Sequence, residues 1–153
     1  MNSTTATTDV PSATASAASA RTAPHRQPRT LLSALWLFAI LNYLYCDVIG
    51  FFDKDVIRDT LDGTGAMGDY GQGFLLGASV LMTIPISNVL IARIGSRGLA
   101  RWASIVGGSV MTLVQVATLF VGSFTAYYGY FSALEIASTV AIVVIAWRWR
   151  AEA

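Results

Sequence analysis

The sequence predicts an all-α membrane protein, a four-transmembrane-helix bundle with both termini on the cytoplasmic side (N-in/C-in) and a disordered N-terminal tail. Three observations predict it. Of 153 residues, 54% are hydrophobic and only 12% are charged, against roughly 25% charged in a soluble domain. The apolar residues gather into four runs of about twenty, the length that crosses roughly 30 Å of hydrocarbon at ~1.5 Å per residue. The charges fall between the runs: Asp47 and Glu135 alone are carboxylates well inside the apolar stretches, where a soluble bundle would carry a charged face on most of its helices.

The same composition narrows the function. A formal net charge of +1 exerts no general pull on nucleic acid, so no nucleic-acid partner is expected. Cys46 is the single cysteine and His25 the single histidine. Neither an internal disulfide nor a CxxC pair can form, and neither paired-histidine haem ligation nor an HExxH site is available. No Gly-rich phosphate loop, nucleophile elbow or metal-ligand cluster occurs, so no catalytic residue, metal or cofactor is assigned.

Residues 1–30 are mostly Ser, Thr and Ala without an aromatic residue. They bury too little apolar surface to offset the entropy of ordering, which predicts a disordered cytoplasmic tail. Arg21, Arg26 and Arg29 ahead of an apolar run imitate a signal peptide, but the run is long and no small-residue cleavage site closes it, so an uncleaved signal anchor is expected. A transit peptide is the alternative for this acid-poor tail.

The transmembrane domain is expected over residues 31–150. Its first span runs from about Leu31 to Phe52, and its twelve Leu, Ile, Phe and Val residues contribute about −4 to −7 kcal/mol toward insertion. Asp53 to Gly71 is a polar, glycine-rich loop whose start, DKDVIRD, suits a short interfacial helix. The second span, about Gln72 to Ile94, holds Pro85, which predicts a kink that neighbouring helices must accommodate. A basic turn, Arg93 to Arg101, leads to the third span at about Trp102 to Gly122. After the link Gly122 to Thr125, the fourth runs from about Ala126 to Trp147. Such short links make spans two and three, and three and four, antiparallel neighbours.

Orientation follows from the distribution of basic residues. The tail, the second loop and the C-terminus carry eight arginines, whereas the first and third loops carry only Lys54 and Arg58. Both termini are therefore expected in the cytoplasm. Trp36, Trp102, Trp147 and Trp149 fall toward the basic side, and Phe51, Phe52, Tyr70, Phe124, Tyr127 and Tyr128 toward the other, as two interfacial belts.

Glu135 stands near the middle of span four, about ten residues or ~15 Å from its outer end. The eight Leu, Ile, Phe and Val residues there supply about −2.5 to −5 kcal/mol against a cost of ~2.5 to 3.5 for the acid. The carboxyl must therefore face the bundle, neutral or hydrogen-bonded. Depth nominates its partners: Asn42 lies near the same level, with Gln115 and Tyr43 within about a turn of it. Asn42, Glu135 and Gln115 are expected to form a polar cluster, either as interhelical glue or as part of a proton or ion path. Asp47 shares a face of span one with Tyr43 and Gly50. It either extends that path or reaches interfacial water.

Gly73 and Gly77 form a GxxxG pair, and Ser104, Gly108 and Thr112 a small-xxx-small stripe. Both permit close helix approach, within the monomer or in a dimer. Arg93, Arg97 and Arg101 either set topology or bind anionic lipid headgroups, at ~1 kcal/mol per basic residue.

The runs LLSALWLFAILNYLYCDVIGFFD, FLLGASVLMTIPISNVLIARI and YYGYFSALEIASTVAIVVIAWRW resemble a family of small four-span bacterial membrane proteins defined as a domain of unknown function. The resemblance covers roughly Leu31 to Arg150, and Asn42 to Asp47, Ile84 to Pro85, Arg101 to Trp102 and Tyr127 to Glu135 carry most of it. Where the family often has Glu before Ile-Pro this chain has Thr83, and where it often has Asn before Arg-Trp this chain has Ala100. A mechanism needing a second acid in span two is weakened accordingly. The resemblance implies a bacterial inner membrane and no particular activity.

Three functions follow in order: a non-enzymatic interaction subunit, as a homo-oligomer or within a larger membrane complex; a small transporter or channel component with Glu135 in the path; and an intramembrane enzyme acting on lipid, for which no nucleophile and base are found. The bilayer itself is the one partner common to all three. Reporter fusions at Arg97 and at the C-terminus should read as cytoplasmic, and one at Asp59 as external. An external Arg97 would reverse the assignment.

Overall fold

The computed structural model describes residues 28–65, 68–121 and 124–149. The expectation of a disordered tail lies outside the described residues up to position 27. The described residues form five helices: α1 (Pro28–Gly50), α2 (Lys54–Leu61), α3 (Gln72–Ile94), α4 (Arg97–Thr118) and α5 (Ala126–Arg148). Four of them, α1, α3, α4 and α5, are long and apolar enough to cross a membrane, so the chain is a multi-pass membrane protein.

The helix ends differ from the sequence expectation where local chemistry intervenes. Helix α1 starts at Pro28, three residues early, because a proline in the first turn has no amide to satisfy and its φ is already helical. It stops at Gly50, short of Phe52, where two tight turns close onto the Ile49 and Gly50 carbonyls. The basic segment expected as a turn is mostly helical, with Arg93 and Ile94 ending α3 and Arg97 to Arg101 starting α4. Ser96 caps that helix by accepting a hydrogen bond from the Leu99 amide at 3.3 Å, which leaves Gly95 and Ser96 as the whole link. At the other end α4 finishes at Thr118 rather than Gly122. Helix α3 remains helical across Pro85, which is buried.

Helix α2, with Asp53 as its cap at 3.0 Å from the Asp55 amide, buries none of its residues and is the short helix expected from DKDVIRD. The glycine-rich segment after it forms an antiparallel pair of two-residue strands, β1 (Thr64–Gly65) and β2 (Gly68–Asp69). Gly63 and Gly68 hold φ of 71° and 104°, which a side-chain-bearing residue adopts only with strain.

The four long helices close a ring in the order α1, α3, α4, α5, each packed on its two neighbours. Inside are Leu32, Trp36, Ala39, Ala92, Ala100, Ile105, Met111, Ile142 and Ala146, a core in which small residues let backbones approach. Trp36 crosses the ring, its indole Nε1 donating to Ser104 Oγ on α4 at 3.3 Å. Large apolar side chains such as Leu44, Val80, Leu90, Val106 and Leu113 point outward and are exposed. Water disfavours such a surface, and hydrocarbon does not.

Two adjacent glycines set the closeness of α4 to its neighbours. A Cβ on Gly107 would stand 2.8 Å from Asn88 Nδ2 on α3, and one on Gly108 would stand 2.8 Å from Val143 Cγ2 on α5. Gly108 belongs to the stripe noted in the sequence and Gly107 does not. The Gly73–Gly77 pair behaves otherwise, since a Cβ at either position meets nothing within 4 Å. Within the monomer those two glycines mediate no close approach, because they lie on an open part of α3. Accordingly, Gly108→Val should destabilise the bundle by about 1–3 kcal/mol through overpacking, whereas Gly73→Ala should leave it unchanged or raise stability by about 0.5–1 kcal/mol. Unfolding of the two variants in detergent, followed by circular dichroism, checks the contrast.

Candidate functional site

The half of the bundle nearest α2 and the hairpin is hollow. A cavity of about 590 Å³ lies among α1, α3, α4 and α5, and Tyr43, Asp47, Gln115 and Glu135 all line it. Four of the five polar residues singled out from the sequence therefore share one space. The opposite half is filled by Trp36, Leu32, Ile105 and Ile142.

Glu135 is the deep group. It is 2% exposed, in mid-helix on α5. Its backbone carbonyl accepts from the hydroxyls of Ser138 and Thr139, both at 2.9 Å, and the Thr112 hydroxyl joins this chain from α4 at 2.8 Å from Thr139 Oγ1. Its side-chain carboxyl has no hydrogen-bond donor among the described residues, and neither Arg nor Lys lines the cavity. Asp47, exposed and three residues before the end of α1, stands nearer the open end. Tyr43 is nearly buried, and its hydroxyl lacks a partner.

The partners proposed by depth are engaged elsewhere. Gln115 Nε2 donates to Ser132 Oγ at 2.8 Å, and Asn42 Nδ2 donates to the Phe131 carbonyl at 3.1 Å, so Asn42 ties α1 to α5 and does not line the cavity. The residue levels agree with the sequence argument, because Phe131 and Ser132 lie one turn from Glu135. The hydrogen-bond pairing does not, since rotation about the helix axis decides which neighbour a side chain meets.

Several cavity residues were not indicated by the sequence reading. Cys46, Phe74, Met82, Met111, Thr118 and Tyr128 complete much of the wall. Tyr128 donates to Thr118 Oγ1 at 2.7 Å, and Thr118 in turn donates to the Gln115 carbonyl at 2.8 Å, which braces the end of α4 against α5. Ser132, three positions before Glu135, was accessible to an i,i+3 argument. The apolar wall residues carry no such signal, because Met and Phe are common on every helix face in a membrane.

At the other end the arginines act on the bundle itself. Arg93 Nε donates to Ser33 Oγ at 3.1 Å, and Ser33 donates to the Val89 carbonyl at 3.2 Å. Arg101 Nε donates to the Ala146 carbonyl at 3.1 Å, with a second, longer bond to Trp147. A cation there satisfies carbonyls that the end of α5 leaves open and complements its dipole. Arg97 and Arg29 approach the ring of Trp149 at 5.6 and 5.9 Å from its centroid, within cation–π range.

Asn42→Leu should weaken the α1–α5 contact and lower stability in detergent by about 0.5–2 kcal/mol, the range of interhelical side-chain hydrogen bonds in membranes. Equal unfolding midpoints for wild type and variant would contradict the tether.

Residues 23–153 match a family described as a family of unknown function, DUF6326. No curated protein and no solved structure matches the chain. The match takes in all four long helices and every cavity residue, and the chain belongs to the family of unknown function DUF6326.

Proposed function

We propose that the protein is a non-enzymatic transport component of a bacterial inner membrane, with both termini in the cytoplasm, and that it moves protons or a small cationic solute through the cavity that holds Glu135. The observation that carries this reading is the carboxyl of Glu135, 2% exposed and, among the described residues, without a hydrogen-bond donor or a basic side chain in the cavity wall. An acid at this depth costs ~2.5–3.5 kcal/mol. A glue function offsets that cost with interhelical hydrogen bonds, but Asn42 and Gln115 spend their amides on Phe131 and Ser132. The acid is thus left for something that enters.

The cavity reaches only half the depth of the bundle, so passage requires the packed half around Trp36 to open. Helix α3 is the element best suited to move. Only three of its residues are buried, Pro85, Asn88 and Ala92, against seven in each of α1 and α4 and six in α5. Pro85 also removes the amide that would bond the Leu81 carbonyl, and Leu81 lines the cavity. Asp47 supplies a carboxylate between Glu135 and the outer surface, which the arginine distribution assigns to the far side from the cytoplasm.

The exposed face of α3 also supports a second reading, assembly as a subunit of a larger complex or homo-oligomer. There the open position Gly73 admits a neighbouring helix.

Purified protein in liposomes holding a pH-sensitive dye separates the two. A proton or cation flux above that of empty liposomes is expected, reduced at least tenfold in Glu135→Gln. Flux unaffected by that substitution removes Glu135 from the path. No flux, together with a stoichiometric partner retained in mild detergent, selects assembly.

A further inference from the structure

Within the transport reading, on which this inference rests, the cavity wall specifies the chemistry of its occupant. The oxygens of the wall that lack a partner among the described residues, the Gln115 carbonyl aside, are acceptors or can act as such. They are the carboxyl of Glu135, that of Asp47, and the hydroxyl of Tyr43, which is nine-tenths buried and unpartnered. Two further polar side chains of the wall are engaged, Tyr128 with Thr118 and the Gln115 Nε2 with Ser132, while the Cys46 thiol, a weak donor and acceptor, stands free beside them. The rest of the wall is apolar: Phe74, Leu81, Met82, Met111 and Val114.

A bare inorganic divalent cation needs about six to eight oxygen ligands. Among the described residues no three His, Cys, Asp or Glu side chains converge, and the Met, Phe and Leu surfaces coordinate no hard ion. An anion meets two carboxylates and no cation. A protonated amine meets both halves of the cavity. Its N–H groups find acceptors that no other described residue satisfies, and its carbon skeleton lies against the methionines and Phe74, whose ring also favours a cation over its face. About 590 Å³ falls among the volumes that accept a drug-sized molecule.

We propose that the cavity is a binding site for an organic ammonium ion with an apolar body, held by Glu135, Asp47 and Tyr43 against the apolar wall. An adjustable probe of this chemistry is n-octylammonium, with n-octanol and octanoate as the neutral and anionic forms of the same skeleton.

The full chain in nanodiscs is titrated calorimetrically with each probe, and protein-free nanodiscs of the same lipid correct for partitioning into the bilayer. Saturable binding of octylammonium is expected, at least tenfold tighter than octanol, with none for octanoate, and weakened at least tenfold in Glu135→Gln. A second variant avoids the acids altogether. Gly77 lines the cavity and a Cβ there meets nothing within 4 Å, so Gly77→Leu fills the space while favouring the helix. It should also weaken binding at least tenfold.

Octanol binding as tightly as octylammonium overturns the proposal, as does octylammonium binding unchanged in both variants. Saturable heat from sodium chloride alone, abolished in Glu135→Gln and with no octylammonium binding, assigns the site to an inorganic cation and also overturns it. The liposome assay fails separately: amine binding without flux retires transport and keeps the site, whereas flux without amine binding retires the site and keeps transport.

Discussion

Hydrocarbon offers no water to an unpaired amide, and nearly everything in this structure answers to that. Each of the four long segments must bond its own N–H and C=O groups, which makes it a helix. Once helical, the segments gain little by hiding apolar side chains from lipid, so packing rests on small residues and interhelical hydrogen bonds. The glycines at 107 and 108 bring α4 within contact of α3 and α5. The bonds from Trp36, Ser33, Asn42, Gln115 and Arg101 then tie each long helix to others at defined levels.

Those ties are unevenly distributed along the bundle axis. The arginine end is dense, with the arginine bonds, the stacked Trp149 and the Trp36 crossing within about three turns. The hairpin end has its ties near the helix ends, at Thr118 and Tyr128, and leaves the middle of that half unfilled. Glu135 lies where the packed half meets the hollow one. Its carbonyl is part of the structural network through Ser138 and Thr139, while its carboxyl faces the cavity. One residue thus contributes to the framework with its backbone and to the candidate site with its side chain.

The weak hold on α3 follows from the same economy. Its inward groups are few, with Pro85, Asn88 and Ala92 buried, and its glycines at 73 and 77 touch nothing. A helix attached mainly at one end, with a proline near its middle, is the element whose displacement costs the fewest contacts. In membrane helices a proline leaves a carbonyl for other donors to satisfy, and here that carbonyl belongs to a cavity-lining residue.

Run length, breaks at glycine and charge, and the intramembrane acids were enough to place four helices, the short α2 and the level of Glu135, because hydrophobic length and depth are one-dimensional properties. The Ser96 cap was equally local and legible, and applying it would have started α4 at Arg97. What the linear pattern did not contain was the rotation of each helix about its axis. In lipid both faces of a helix are apolar, so periodicity no longer marks the inward side. That rotation sent Asn42 to Phe131 and Gln115 to Ser132, left Gly77 open and Gly107 closed, and exposed an acid to a cavity that neighbours at the same depth could equally have filled. Only the packed tertiary arrangement resolves such choices, since they depend on which side chains share a space and not on how far along the chain they stand.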